Sequence, residues 1–173
     1  MFSACKNGVV KVETTKFNVT RDKEKRTSDG ILFDSKMEMR YYDEVVIPLF
    51  KEGVITHYEL QKPYELQPKF NNGGKNILPI VYIADFYIEY SDGRKEVIDI
   101  KGCADATAKI KRKMFWYHYP DLPYRWLTYV KKFGGWCDYD EVTYLRRTAA
   151  AEKKKKEKEK NEEDNDERSG EAQ

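Results

Sequence analysis

Residues 80–101 read IVYIADFYIEYSDGRKEVIDIK, and the fold turns on how this stretch pairs with itself. Two β-rich runs, Ile80 to Tyr90 and Arg94 to Lys101, flank Ser91-Asp92-Gly93, a reversal with the glycine that tight turns favour, so the stretch is predicted to be an antiparallel hairpin. With the turn centred on Asp92, Asp85 falls opposite Asp99, and opposed side chains of such a pair have Cβ atoms about 4.5–5.5 Å apart. Period two then sorts the faces. Asp85 shares one with Ile83, Tyr87 and Glu89, whereas Tyr82, Ala84, Phe86 and Ile88 form the apolar one. In the partner strand Val97, Asp99 and Lys101 share a side, and Ile98 and Ile100 take the other. Alternation alone therefore gathers Asp85, Asp99 and Lys101.

Two carboxylates this close repel unless something stands between them, and an aspartate that interrupts an apolar run needs a partner or a cation. Paired carboxylates are hard oxygen ligands suited to Mg²⁺ or Mn²⁺. Phosphodiester hydrolysis uses such a cation to neutralise charge developing at phosphorus and to acidify the attacking water. A neighbouring lysine completes that chemistry by orienting the water or by stabilising the charged transition state.

Working outward, Ser35 to Glu52 repeats Met37, Tyr41, Val45 and Leu49 at intervals of four, with Tyr42 and Val46 beside them, which predicts an amphipathic helix stopped by Gly53. Pro48 is expected to kink it or to end it near Val46. Asp29 to Asp34 is expected to form a short hairpin arm into that helix. Val54 to Leu60 and Tyr64 to Leu66 read as edge strands broken by Pro63 and Pro68, followed by an Asn71-Asn72-Gly73-Gly74 loop. Ala104 to His118 reads as a helix capped by Asp105, Arg125 to Val130 as a strand, and Asp138 to Arg147 as a last helix. Gly73-Gly74 and Gly134-Gly135 read as loops, since neither is followed by the Lys-Ser/Thr of a phosphate-binding loop. No internal repeat is visible. The order of elements gives an α/β or α+β mixture with a central mixed sheet of about four strands. Residues 29–150 are read as the domain. Residues 1–28, with β-type alternation at Val9 to Val12 and Phe17 to Val19, are read as a weakly structured arm. Residues 151–173 are read as a charged Lys/Glu tail, either disordered or a solvated helix.

The chain has 173 residues, enough for one domain with tails. Its 40% hydrophobic content, with thirteen tyrosines, eight phenylalanines and three tryptophans, excludes a disordered middle. Net charge is +2, but setting aside the tail from Glu152 leaves 25 basic against 21 acidic groups, a balance compatible with a nucleic-acid partner without requiring one. Cys5, Cys103 and Cys137 lack the spacing of a zinc site or a disulfide framework, and the two histidines, His57 and His118, supply a histidine-based metal site poorly. No apolar run suits a signal segment or a membrane span, so a soluble, cytoplasmic protein is expected.

The segments Ser35-Lys-Met-Glu38, Tyr82-Ile-Ala-Asp85-Phe and Val97-Ile-Asp99-Ile-Lys101-Gly102 resemble the phage and prophage PD-(D/E)xK nucleases of the Holliday junction resolvase, or endonuclease-I-like, kind. The resemblance spans roughly Asp29 to Val130. It implies a restriction-endonuclease-like core and an active site of Glu38, Asp85, Asp99 and Lys101, with the three carboxylates holding Mg²⁺ or Mn²⁺. Branched DNA, four-way junctions above all, is the implied substrate, in a bacterial host cell, and two coordinated cuts imply a homodimer. The third motif is Asp-x-Lys where Glu-x-Lys is commoner, and the shorter carboxylate bears on metal distance. Lys109, Lys111, Arg112 and Lys113 form a basic segment placed to meet flanking phosphates. Blander readings stand beside these. Ser35 to Glu38 is also a helix capping box, and Asp99 with Lys101 is also a simple ion pair. Phe115, Trp116, Tyr117 and His118 read as core rather than as stacking platforms. A restriction-like, nicking or repair nuclease, a catalytically silent DNA-binding module and an assembly protein are the competing functions.

Overall fold

The structure, a computed structural model, describes residues 23–170. Cys5 and the alternations expected at Val9 to Val12 and Phe17 to Val19 lie outside the described residues. The fold is a mixed α+β arrangement around a five-stranded mixed sheet, with two separate two-stranded ladders. The chain divides into two compact units between Arg125 and Trp126.

The described part of the first unit opens with a one-turn 3-10 helix, Glu24–Arg26, and the ladder of β1 (Thr27–Ser28) with β2 (Ile31–Leu32). Its turn holds Asp29 at φ 49° and Gly30 at φ 75°, the left-handed pair that two-residue hairpins need. The expected hairpin arm is present, but it begins at Thr27. With the helical turn before it, this gives regular structure to residues 24–28, which were expected to belong to a weakly structured arm. Ser35 then caps α1 (Lys36–Tyr41), which continues through a π turn, Tyr42–Val46, into α2 (Ile47–Lys51).

Pro48 does not end this helix near Val46. The turn before it widens, and the Ile47 N–H donates to the Tyr42 carbonyl five residues back. The wider turn provides slack for a ring that cannot donate a hydrogen bond and that clashes inside a regular α-helix. The helix closes at Gly53, φ 73°, with the Val54 N–H on the Leu49 carbonyl at 2.9 Å. Its buried stripe is Glu38, Tyr41, Tyr42 and Val46, shifted from the apolar repeat, while Met37, Val45 and Leu49 are half-buried. An acid thus occupies an inward position.

Then come β3 (Ile55–Gln67), the small ladder of β4 (Phe70–Asn72) with β5 (Lys75–Ile77), and β6 (Ile80–Tyr90) with β7 (Lys95–Ile100). Pro63 does not break β3, which is one continuous strand at the sheet edge, where a missing N–H costs least. The Asn71 to Gly74 stretch, expected as a loop, is the hairpin between β4 and β5, with Gly73 and Gly74 both at positive φ. Next in the chain is α3 (Ala106–His118), its first turn capped by Asp105, which accepts from the Ala108 N–H at 2.8 Å. Phe115, fully buried, joins α3 to the sheet among Tyr64, Tyr82 and Tyr124, with ring centroids 4.9, 5.8 and 4.6 Å away.

β8 (Tyr124–Val130) crosses the unit boundary, and the sheet order is β3-β6-β7-β8-β9. In the second unit β8 pairs antiparallel with β9 (Gly135–Asp138), a fifth strand in place of the expected loop. Gly134 and Gly135, at φ 88° and 129°, make the reversal. Asp138 accepts from the Asp140 and Glu141 amides at the start of α4 (Tyr139–Gly170), which carries the described part of the charged tail as helix. Trp126, Leu127 and Val142 are buried in this unit, and Trp126 stacks edge-on against Tyr139. No described helix is long and apolar enough to cross a membrane.

Candidate active site

The hairpin register is the one expected from a turn at Asp92: Glu89↔Lys95, Ile88↔Glu96, Tyr87↔Val97 and Phe86↔Ile98. The ladder pairs end there, one step before Asp85 and Asp99. The Asp85 carboxylate takes over as acceptor, with the Ile100 N–H donating to its Oδ2 at 2.7 Å. Asp99, 1% exposed, accepts from the Tyr82 hydroxyl on Oδ1 at 2.6 Å and pairs through Oδ2 with the Lys101 ammonium. Tyr82 belongs by alternation to the face opposite Asp99, so strict period two fails past the last ladder pair.

Glu38 is buried at the first turn of α1. The capping box is real: Ser35 Oγ accepts from the Glu38 N–H at 3.1 Å, and its hydroxyl donates to Glu38 Oε1 at 2.7 Å. The second carboxylate oxygen accepts from the Asp34 N–H at 3.2 Å. Capping does not remove Glu38 from the site, because it lines the same cavity of about 100 Å³ as Asp85.

Electrostatics tie the four residues together. Burial pushes the Asp85 carboxyl well above its ordinary range, and the nearby charges of Asp99 and Glu38 push it further, against the pull of Lys101 and the Ile100 amide. Glu38 is raised chiefly by burial, with Asp34 and Asp99 adding to it and the Ser35 hydroxyl opposing. Burial draws the Lys101 ammonium down, but Asp99, Asp85 and Glu38 outweigh that, and the net shift is upward. Three carboxylates around one lysine leave an excess of negative charge, the condition that a divalent cation relieves. The donors are hard oxygens, so they fit Mg²⁺ or Mn²⁺ in kind. As they stand, no three His, Cys, Asp or Glu side chains among the described residues converge on one ion position.

Two neighbours of the cluster are invisible to alternation. Period two assigns Tyr82 to the apolar face, yet its hydroxyl holds Asp99. Gln61 has φ 53° in the middle of β3, lies between the pairs Leu60↔Phe86 and Lys62↔Ala84, and so stands across from Asp85. A left-handed residue that is not glycine costs about 1–2 kcal/mol. No signal around Gln61 announces the distortion.

The four basic residues of α3 part company. Lys109 and Lys113 are exposed, one turn apart. Lys111 donates to the Val81 carbonyl at 2.8 Å, and Arg112 is buried, its guanidinium 4.5 Å from the Trp116 ring centroid. Phe115 is core as expected, but Trp116 and Tyr117 are 45% and 82% exposed, and His118 is exposed too.

Fold and site define an α+β protein whose central sheet carries a carboxylate–lysine cluster at the open end of a hairpin. Residues 16–135 match the family described as "Protein of unknown function (DUF1064)", and the chain belongs to that family. No curated protein matches it.

Proposed function

We propose that this protein is a metal-dependent endonuclease of the PD-(D/E)xK type, with a restriction-endonuclease-like core, that hydrolyses phosphodiester bonds in branched DNA. A phage or prophage Holliday junction resolvase working as a homodimer in the bacterial cytoplasm is the particular reading. One observation carries it: the ends of β6 and β7 and the first turn of α1 bring three acids, Asp85, Asp99 and Glu38, around Lys101, with Asp99 and Glu38 buried and Asp85 and Lys101 half-buried.

Glu38, Asp85 and Asp99 would hold the cation. A bound divalent cation neutralises charge developing at phosphorus and lowers the pKa of the attacking water. Asp99 is kept in place by Tyr82 and Lys101 from either side of its carboxylate. Lys101, 21% exposed at its side chain, keeps its proton through the three acids and can donate it as a hydrogen bond to the water or to a phosphate oxygen. Lys109 and Lys113 supply exposed positive charge for flanking phosphates.

A labelled four-way junction and its matched linear duplex, incubated with Mg²⁺, Mn²⁺ or EDTA, test the reading. Wild type is expected to cut the junction symmetrically and only with metal. Asp85→Asn should keep its circular dichroism spectrum and lose at least about 100-fold in rate, the scale of several kcal/mol of transition-state stabilisation. Equal cutting of both substrates would point to a general nuclease, and Asp85→Asn cutting at the wild-type rate would remove the site.

A further inference from the structure

We propose that Gln61 is a substrate-positioning residue of this site, donating a hydrogen bond from its side-chain amide to a phosphate oxygen of the DNA beside Asp85; the inference rests on the nuclease reading above. Three observations converge on it. Gln61 lines the cavity that holds Glu38 and Asp85, and the rest of that wall is Asp34 and the apolar Ile31, Leu32, Phe33, Leu60 and Phe86. Carboxylates only accept hydrogen bonds and repel phosphate, so among the side chains of this lining Gln61 alone offers a neutral donor.

Its side chain is exposed and without a hydrogen-bond partner among the described residues, so none of them accounts for the amide. Finally, its backbone stands at φ 53° inside a strand, a conformation that the described residues otherwise give to glycines and to Asp29, which sits in a hairpin turn rather than in a strand. Conformation alone would favour glycine at position 61 as well. The distortion turns residue 61 out of the ladder at the point where β3 passes Asp85. Strain held at a cavity beside paired acids is the pattern that positioning groups follow.

Gln61→Gly separates the side chain from the backbone, because glycine adopts positive φ without strain. The full chain would be assayed by melting, by Mn²⁺ titration calorimetry, by junction binding in Ca²⁺ and by cleavage in Mg²⁺. The expected result is an unchanged or higher Tm, an unchanged Mn²⁺ affinity, and junction binding and kcat/KM each reduced about 10- to 100-fold, the worth of one hydrogen bond to a charged group. Gln61→Glu, which adds a fourth acid to the wall, should lose more than Gln61→Gly. Wild-type binding and cleavage by Gln61→Gly would overturn the role while leaving the nuclease reading intact. A wild-type protein that cuts no DNA with any divalent metal would overturn both.

Discussion

Asp99 is almost wholly shielded from water, and its carboxylate rests on two partners, the Tyr82 hydroxyl and the Lys101 ammonium. A buried charge stripped of one partner keeps its desolvation cost and loses the compensation, about 1.5–3 kcal/mol for a hydrogen bond to a charged group. Tyr82→Phe keeps the ring that packs against Phe115 and Tyr124, so its effect isolates the hydroxyl. Urea unfolding of Tyr82→Phe should show a loss of that size at neutral pH, and unchanged stability would mean that the phenol does not hold Asp99. Asp85, Asp99 and Lys101 stand out in the sequence as charges in an apolar hairpin, whereas Glu38, on α1, is singled out only by the family resemblance. Tyr82 and Gln61 do not stand out, because their places depend on how strands part beyond the last ladder pair, and no alternation encodes that.

Among the elements, the β6–β7 hairpin was readable in register because a short turn fixes which residues face each other, and the ladder pairs obey it. The first helix was readable in extent, but the buried stripe sits beside the apolar one, since Glu38 faces inward as an acid and the π turn rotates the helical turns beyond it. β9 was missed because four residues opening on glycine carry too little pattern to register as a strand. α3 shows how a run of like charges divides once helical: Lys111 and Arg112 turn inward to Val81 and Trp116, while Lys109 and Lys113 stay in water. In the proposed reading, contact with phosphates by this helix falls to the exposed pair. Replacing both by glutamine should weaken junction binding and reduce the slope of log affinity against log salt by about 2, roughly 0.9 for each phosphate no longer neutralised. An unchanged slope would place the DNA elsewhere on the protein.

For the whole molecule, the carboxylate cluster in the proposed reading trades stability for a cation site, and the sign of that trade follows from the shifts of its acids. Asp85 and Glu38 are raised in the folded state above their ordinary 3.8 and 4.5, so in the window above those values the native chain binds more protons than the unfolded one. Stability from these groups therefore falls as pH rises through that window and levels off once both are ionised. Lys101 works in the opposite range: its raised value contributes stability below 10.5 that is lost as pH climbs through the folded value. In EDTA at neutral pH, Asp85→Asn should be more stable than wild type, because the amide oxygen can still accept from the Ile100 N–H without the repulsion. A gain of 1 kcal/mol would read as roughly 2–4 °C in Tm for a chain of this size. The gap between the two proteins should close on acidification toward pH 4, where wild-type Asp85 is neutral as well. Mg²⁺ or Mn²⁺ should reverse the order, since a cation at 100 times its Kd stabilises the native state by about 2.7 kcal/mol. Wild type should gain that and Asp85→Asn should not. Scanning calorimetry of both proteins across pH, with and without metal, measures all of this at once; a wild type that melts alike in EDTA and Mg²⁺, or an Asp85→Asn that loses stability in EDTA, would show that the acids are held apart by the fold rather than waiting for a cation.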